Sequence, residues 1–492
     1  MLPRRSRMLR AALAGSVAAL ALSTTACSLD ATDDADAVRV VIGYQSKTIN
    51  TVTAGTLLRA EGQFEKRLAE VTERTGQRYV VEWQDYDTGA PITTGMVAGK
   101  IDIGSMGDYP LLINGSRAGA NPNTRTEMLS VTGSSPRGSL NMVVVKPNSS
   151  ARSIADLRGR SISASVGSAG HGTLVQALDR AGIDPNSDVT VQNQQPQVGA
   201  SALESGKVDA LAQFVAWPGL LVFGNKARLL YDGAELGHPT LHGVVARSSY
   251  AQQHPEVISA FLQAQLDSTR SLTEHPRAAA ELVAKDSGLP AEVVYLYNGP
   301  GGTDFNPALK PGLIDALRTD VPYLKSIGSF PHEIDLTTFV NPQPLQQAYT
   351  DTGANYVEAL NRAGNTSVIK GHDPVCDRAV DNSATAGELW LRGADTTQPA
   401  ANSTCLLRAV KKARAEGKTI RAAYVTDPVL GTRWFADKAV WLHDGDQYVA
   451  FTTTAGAEGY RATHPGARPV SYDQAAAEVV LSLIHISEPT RP

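Results

Sequence analysis

Short apolar runs alternate with stretches of helical spacing along the first two thirds of the chain, the pattern of an α/β fold. Residues 38–43 (VRVVIG) read as a strand. Residues 53–74 read as an amphipathic helix with Leu57, Leu58, Phe64, Leu68 and Val71 on one face. A second strand over 79–83 breaks at Asp87, Thr88 and Gly89, a compact helix covers 90–98, and an apolar run at 101–104 meets another helix start at 107–110. Strands are predicted at 127–132, 140–145, 161–165, 208–214, 228–231 and 242–246, with helices over 173–181, 197–206 and 254–273. The run 140–145 (LNMVVV) is apolar throughout, as a central strand covered on both faces should be. The strand ends carry Thr, Ser, Asp and Gly. In α/β sheets such ends bind ligands, because the next helix begins with unpaired N–H groups facing the crevice.

A second pattern begins after about residue 371: a helix over 404–414, a strand over 419–425, a turn over 426–434, strands at 439–442 and 448–451, and helices over 454–461 and 472–480. A chain of 492 residues is long for one core, so separate domains are expected. Hydrophobic and charged contents of 42% and 19% are ordinary for a globular protein.

The N-terminus changes the picture. Arg4, Arg5, Arg7 and Arg10 precede an apolar run over 11–22, and small residues then lead to Cys27. Residues 1–26 read as a lipoprotein signal peptide, with Cys27 as the lipidated N-terminus of the mature chain and 27–37 as a polar tether. Thr24 stands where Leu is usual in that pattern, and Arg4-Arg5 leaves either general or twin-arginine export open. Without those four arginines the net charge of −4 becomes about −8, which argues against nucleic acid as a partner. No later segment reaches the roughly 18 apolar residues of a membrane span.

At 85–110 (DYDTGAPITTGMVAGKIDIGSMGDYP) the chain resembles the periplasmic substrate-binding proteins of ABC importers for nitrate, aliphatic sulfonates and taurine. Lys100-Ile101-Asp102-Ile103-Gly104 stands for the family's "GxVDIG" element. Ser153–Gly159, the Gly167-Ser168 turn with His171, the second "helix, GxVDA, strand" unit and the segment 335–340 carry the resemblance to about residue 362. It implies a type II two-lobed fold over 38–362 with two hinge crossovers, near 134–141 and near 239–243. It also implies ligand contacts from the turns holding Gln45, Ser46, Asp87, Thr88, Gly89, Ser105, Asp108, Gly167, Ser168 and His171, with Trp217 near. The bland readings of these residues are turn chemistry, helix capping and core packing. Sulfonate binders generally place an arginine in the cleft, and Arg137 is the nearest candidate, the other reading being a surface loop charge.

After a polar linker at 363–370, residues 371–480 resemble the NosL-like copper-chaperone lipoproteins, through DPVC and AAYVTDPVLGTRWFADKAVWL. The resemblance implies a small α+β domain. That family binds Cu(I) with Cys and a nearby Met, soft ligands for a soft cation. Here Arg378 stands two residues beyond Cys376 and no Met follows Met142. A copper site would have to use His372, Cys376 and Cys405. The competing reading is a Cys376–Cys405 disulfide, expected in an exported domain, where closing a loop of about 30 residues contributes roughly 3–4 kcal/mol. The last residues, 481–492, read like a translated transposase-type sequencing adapter and are set aside from the fold.

No nucleophile–base motif, P-loop or H-E-x-x-H occurs, so the reading is a binding protein and not an enzyme, with no required cofactor. The expected molecule is a monomeric lipoprotein on the outer face of the cytoplasmic membrane. It would capture a small oxyanion for a permease and its ATPase. The alternative is copper trafficking through the C-terminal domain.

Overall fold

The computed structural model describes residues 36–481. The signal peptide, Cys27 and residues 482–492 lie outside the described residues. Ten strands build two sheets. They are β1 (Val38–Tyr44), β2 (Tyr79–Asp85), β3 (Ile103–Gly107), β4 (Thr126–Ser135) and β5 (Asn141–Val145). Then follow β6 (Ser161–Ala164), β7 (Thr190–Asn193), β8 (Ala210–Phe214), β9 (Arg228–Asp232) and β10 (Thr240–Arg247). Lobe 1 has the order β2-β1-β3-β10-β4 and lobe 2 the order β7-β6-β8-β5-β9. In each lobe the strand arriving from the other lobe, β10 or β5, runs antiparallel to both neighbours. The apolar run of β5 is buried along its whole length, as its composition requires.

The two aspartates of the "DI" and "DA" motifs do the same work in each lobe. Asp102 Oδ2 accepts from Val41 N (2.9 Å) and its Oδ1 from Arg247 Nη2 (2.6 Å). Asp209 Oδ2 accepts from Ser161 N (2.9 Å). Both tie the turn entering one strand to a backbone N–H of the neighbouring strand.

The helix expected over 53–74 is two helices, Thr56–Glu61 and Gln63–Thr75, preceded by a short 3-10 turn, Ile49–Ala54. Gly62 lies between them at φ +63°, a conformation that ends the first helix and costs glycine little.

The lobes are joined by the β4–β5 crossover at 136–140 and the β9–β10 crossover at 233–239. The second lies before the expected 239–243, because Thr240 already pairs with Ser135 in lobe 1. The crossovers touch backbone to backbone: a Cβ on Gly233 would lie 2.3 Å from Gly138 O and 2.4 Å from Asn141 O. Across the cleft, the helix Ala169–Arg180 of lobe 2 meets the helix Asp108–Ala118 of lobe 1. A Cβ on Gly172 would lie 2.2 Å from the Tyr109 ring. Gln176 Nε2 donates to Tyr109 Oη (3.1 Å) and Asp320 Oδ1 (3.0 Å), and Ala216 N donates to Lys47 O (3.3 Å).

Residues 371–480 form an α+β domain. One sheet has four strands, Gln398–Ala400, Gly387–Leu391, Ile420–Thr426 and Arg433–Phe435; another has three, Gln447–Phe451, Val440–Asp444 and Arg468–Val470. Cys376 and Cys405 are joined by a disulfide that fastens the first loop of the domain to the helix Ser403–Ala415. Asp373 is the carboxylate beside these sulfurs. His372, named with them for copper, is instead exposed and 3.1 Å from Asp377.

The domain docks through an apolar face shared with the helices Pro276–Ser287 and Ala291–Asn298: Trp390, Tyr424, Trp434 and Phe435 belong to one buried cluster with Val283, Val294 and Tyr295. Arg433 is the polar centre of that face. Its Nη2 donates to Glu388 Oε2 (2.5 Å) and its Nη1 to Pro300 O (2.8 Å), and its guanidinium lies over the Tyr424 and Tyr295 rings. Lys438 reaches Asn225 of lobe 2 (2.7 Å).

Two outcomes follow from these contacts. Gly172→Val leaves each lobe folded but forces the lobes apart, seen as a larger radius of gyration by solution scattering in the presence of ligand. Arg433→Met strands Glu388 in the interface and lowers unfolding free energy by about 3–5 kcal/mol in denaturant titration, whereas adding Glu388→Met recovers much of the loss.

Candidate functional site

The ends of β1, β3 and β4 in lobe 1 face those of β6 and β8 in lobe 2, and their loops close on one another. The chain of contacts runs from Gln45 to Gln213. Gln45 Nε2 donates to Ser105 O (3.0 Å), and Thr48 Oγ1 donates to Gln45 Oε1 (3.3 Å). Asn50 Nδ2 is 2.8 Å from His242 Nδ1. A Cβ on Gly107 would touch the His242 ring at 2.9 Å and Ala169 Cβ at 3.2 Å, and one on Gly170 would meet the Gln213 backbone at 2.6 Å. Gln213 Nε2 in turn donates to Ser165 Oγ (2.9 Å), which donates to Gln194 O (2.9 Å).

Along this seam several buried polar atoms have no hydrogen-bond partner among the described residues: Asn50 Oδ1, Ser105 Oγ, Thr132 Oγ1 and Gln213 Oε1. A buried polar atom without a partner costs free energy that a bound ligand can recover. The cleft opens outward into a cavity of about 290 Å³. Lobe 1 contributes Thr88, Gly89, Thr93, Ile113 and Arg117 to its wall, and lobe 2 contributes Ser165, Gly167, Ser168, Asn193 and Gln195.

Of the residues expected from sequence, Thr88, Gly89, Gly167 and Ser168 line that cavity, and Gln45 and Ser105 lie on the buried seam. Gly167 takes φ +83°, which brings the turn close to Ile113 across the cleft. Ser168 Oγ accepts from His171 N (3.2 Å) and caps the helix Ala169–Arg180. His171 is buried; its Nδ1 accepts from Gly167 N (3.2 Å), which leaves the proton on Nε2, a donor without a partner among the described residues.

The others are employed differently. Ser46 donates to Asp85 from both its N (2.8 Å) and its Oγ (2.6 Å) and is spent within lobe 1. Asp87 is exposed and lines no part of the cavity; Asp85, also exposed, is the carboxylate that holds Ser46. Asp108 is buried at the helix start, accepting from Tyr109 N (2.8 Å) and Thr240 Oγ1 (2.5 Å), so it braces the second crossover. Trp217 is core, with Lys47 Nζ 5.8 Å from its ring. Arg137 is exposed on the first crossover, away from the cleft. The cations at the edges of the cleft are Arg117 and Lys47, neither with an ion-pair partner among the described residues. Arg117, Asn50, Gln213 and His242 had no local signal; only the packing of distant segments brings them here.

Electrostatically the inner site is neutral. Burial holds His171 down to about 4 and His242 down to about 3, so both rings are uncharged near neutral pH. Burial, then the nearby Asp320, pushes Asp108 up to about 7. Hydroxyls, neutral imidazole and the N-terminus of Ala169–Arg180 can hold a single negative charge without a buried cation.

The pH profile of stability has a predictable shape. His171 and His242 titrate below their ordinary 6.5 in the folded chain, so the stability they contribute is full above about pH 6.5 and falls as pH drops toward 4 and 3. Asp108, raised from 3.8, contributes stability at low pH that is lost as pH rises through about 7. Melting temperature measured from pH 4 to 8 should fall toward acid less steeply in His171→Gln, and more steeply in Asp108→Asn, which removes the opposing contribution Asp108 makes between about pH 4 and 7.

Comparison with known proteins matches residues 127–279, which cover all of lobe 2 and the return into lobe 1, to the NMT1/THI5 like family. The chain is 28% identical over 291 residues to a putative aliphatic sulfonates-binding protein of Escherichia coli K12, covering 59% of this chain and 82% of that protein. It is 27% identical over 245 residues to the taurine-binding periplasmic protein of the same organism, covering 49% of this chain and 69% of the relative. Among solved structures, the alkanesulfonate-binding protein SsuA of Xanthomonas axonopodis pv. citri, bound to MOPS, superposes with a TM-score of 0.53 at 23% identity, over 63% of this chain and 99% of its own. The fold is therefore the two-lobed type II periplasmic binding protein fold, carrying an additional C-terminal domain.

Proposed function

We propose that the protein is the extracytoplasmic solute-binding component of an ABC importer, and that it takes a small monoanionic sulfonate or related oxyanion between its lobes. The observation that carries the reading is the seam itself. Buried polar atoms from both lobes, without partners among the described residues, lie along it with a neutral imidazole and a capped helix N-terminus, and among the described residues no carboxylate lines the outer cavity. The similarity to sulfonate- and taurine-binding proteins supports the same class. Closure on ligand would present the two outer lobe faces to a permease driven by its ATPase, with Cys27 as the lipid anchor and the protein acting as a monomer.

Isothermal titration of the full chain with ethanesulfonate, taurine and nitrate tests this. A sulfonate should bind in the micromolar range or tighter, and Gly167→Val should weaken it at least tenfold, because any side chain there strains the turn at φ +83° and meets Ile113. No binding of any of the three would remove the proposal.

A further inference from the structure

Behind the cleft, on the opposite side of the crossovers, lies a second cavity of about 250 Å³. Three parts of the molecule meet there: the crossover 136–140, the loop 301–303 that follows the helix Ala291–Asn298, and the loop 430–433 of the C-terminal domain. Its composition is one-sided. Among the described residues no aspartate or glutamate lines it, whereas Arg137 and Arg433 do. The charge of Arg433 is already matched by Glu388, so the net positive charge comes from Arg137, which has no ion pair or hydrogen bond among the described residues. Thr303 is fully buried and its Oγ1 has no partner among the described residues. The rest of the wall is largely hydrocarbon, with Leu140, Leu296 and Leu430 on it.

We propose that this cavity is a second ligand site, for a small organic monoanion: a carboxylate or sulfonate on a short hydrocarbon chain. Arg137, exposed on the rim of the cavity, meets the charged head. The leucines cover the tail. A polyanion does not suit a wall with one unmatched cation, and a cation does not suit a wall with no carboxylate. The site exists only because the C-terminal domain is docked, since the loop 430–433 supplies one side of it. It is separate from the interlobe cleft, and the proposal stands whatever the cleft binds.

The test uses 6-bromohexanoate and, as a charge control, hexylamine, with the full-length protein. Crystals soaked with the bromo acid should show anomalous bromine density beside Leu140 and Leu430. Calorimetry should show the acid binding and the amine failing to bind. Arg137→Glu should weaken the acid at least tenfold. Ala384→Trp, which fills the cavity from an exposed position of the C-terminal domain, should abolish binding with an unchanged melting temperature. The cleft variant Gly167→Val should bind it as the wild type does. Bromine density only in the interlobe cleft, none at all, or wild-type affinity in both Arg137→Glu and Ala384→Trp would overturn the proposal.

Discussion

The two crossovers lie backbone against backbone at Gly138 and Gly233, and the arrangement of both lobes depends on that contact. Gly233 has no room for a Cβ, and Gly138 combines φ +104° with carbonyl oxygens of Gly233 and His238 at the place a Cβ would occupy. Two strands passing so close act as one narrow hinge, so the lobes can approach only along a restricted path. That path brings Gly107 against Ala169 and Gly172 against Tyr109. Small residues at the strand ends let the lobes touch through backbone, and the polar groups left between them form the binding seam.

The C-terminal domain adds a constraint that a bare two-lobed protein lacks. It is bound to the helix Ala291–Asn298 through Tyr295, whose hydroxyl donates to Glu388 and whose carbonyl accepts from Arg433, and Lys438 reaches across to lobe 2. Its threonines 432, 452 and 453 also face Asp232 and Glu235 at the second crossover, where burial pushes the carboxyls up to about 6 and about 7. A rigid body that contacts both lobes near the hinge limits how far they can part. Buried charge is a costly way to hold such a face unless every partner is in place. Here the pair is completed by carbonyl oxygens and two aromatic rings.

Much of the fold was legible in the sequence because its determinants are local. The period-2 and 3.6 patterns marked the strands and helices, and the all-apolar 140–145 run marked a strand covered on both faces. The motifs around Asp102 and Asp209 recur because each ties one strand's approach to its neighbour, a job set by a few residues in sequence. The turn at Gly167, Ser168 and His171 was readable for the same reason: a left-handed glycine, a capping serine and an imidazole accepting from the turn's own N–H are all within five residues.

What the sequence could not determine is which side chains of a turn face inward and which distant segments complete the site. Asp85 and Asp87 are equivalent in composition, and only the register of β2 beside β1 gives Asp85 to Ser46 and leaves Asp87 in solvent. Arg137 was the nearest candidate for the cleft arginine that the family resemblance implies, yet the crossover carries it to the back of the hinge. Arg117 reaches the cleft from the last turn of a helix. Asn50 meets His242 only because segments 192 residues apart pack together, and Gln213 joins the seam only through its backbone contact with Gly170. Local chemistry shapes a turn, but the partners across a cleft are chosen by packing, and packing is a property of the whole chain.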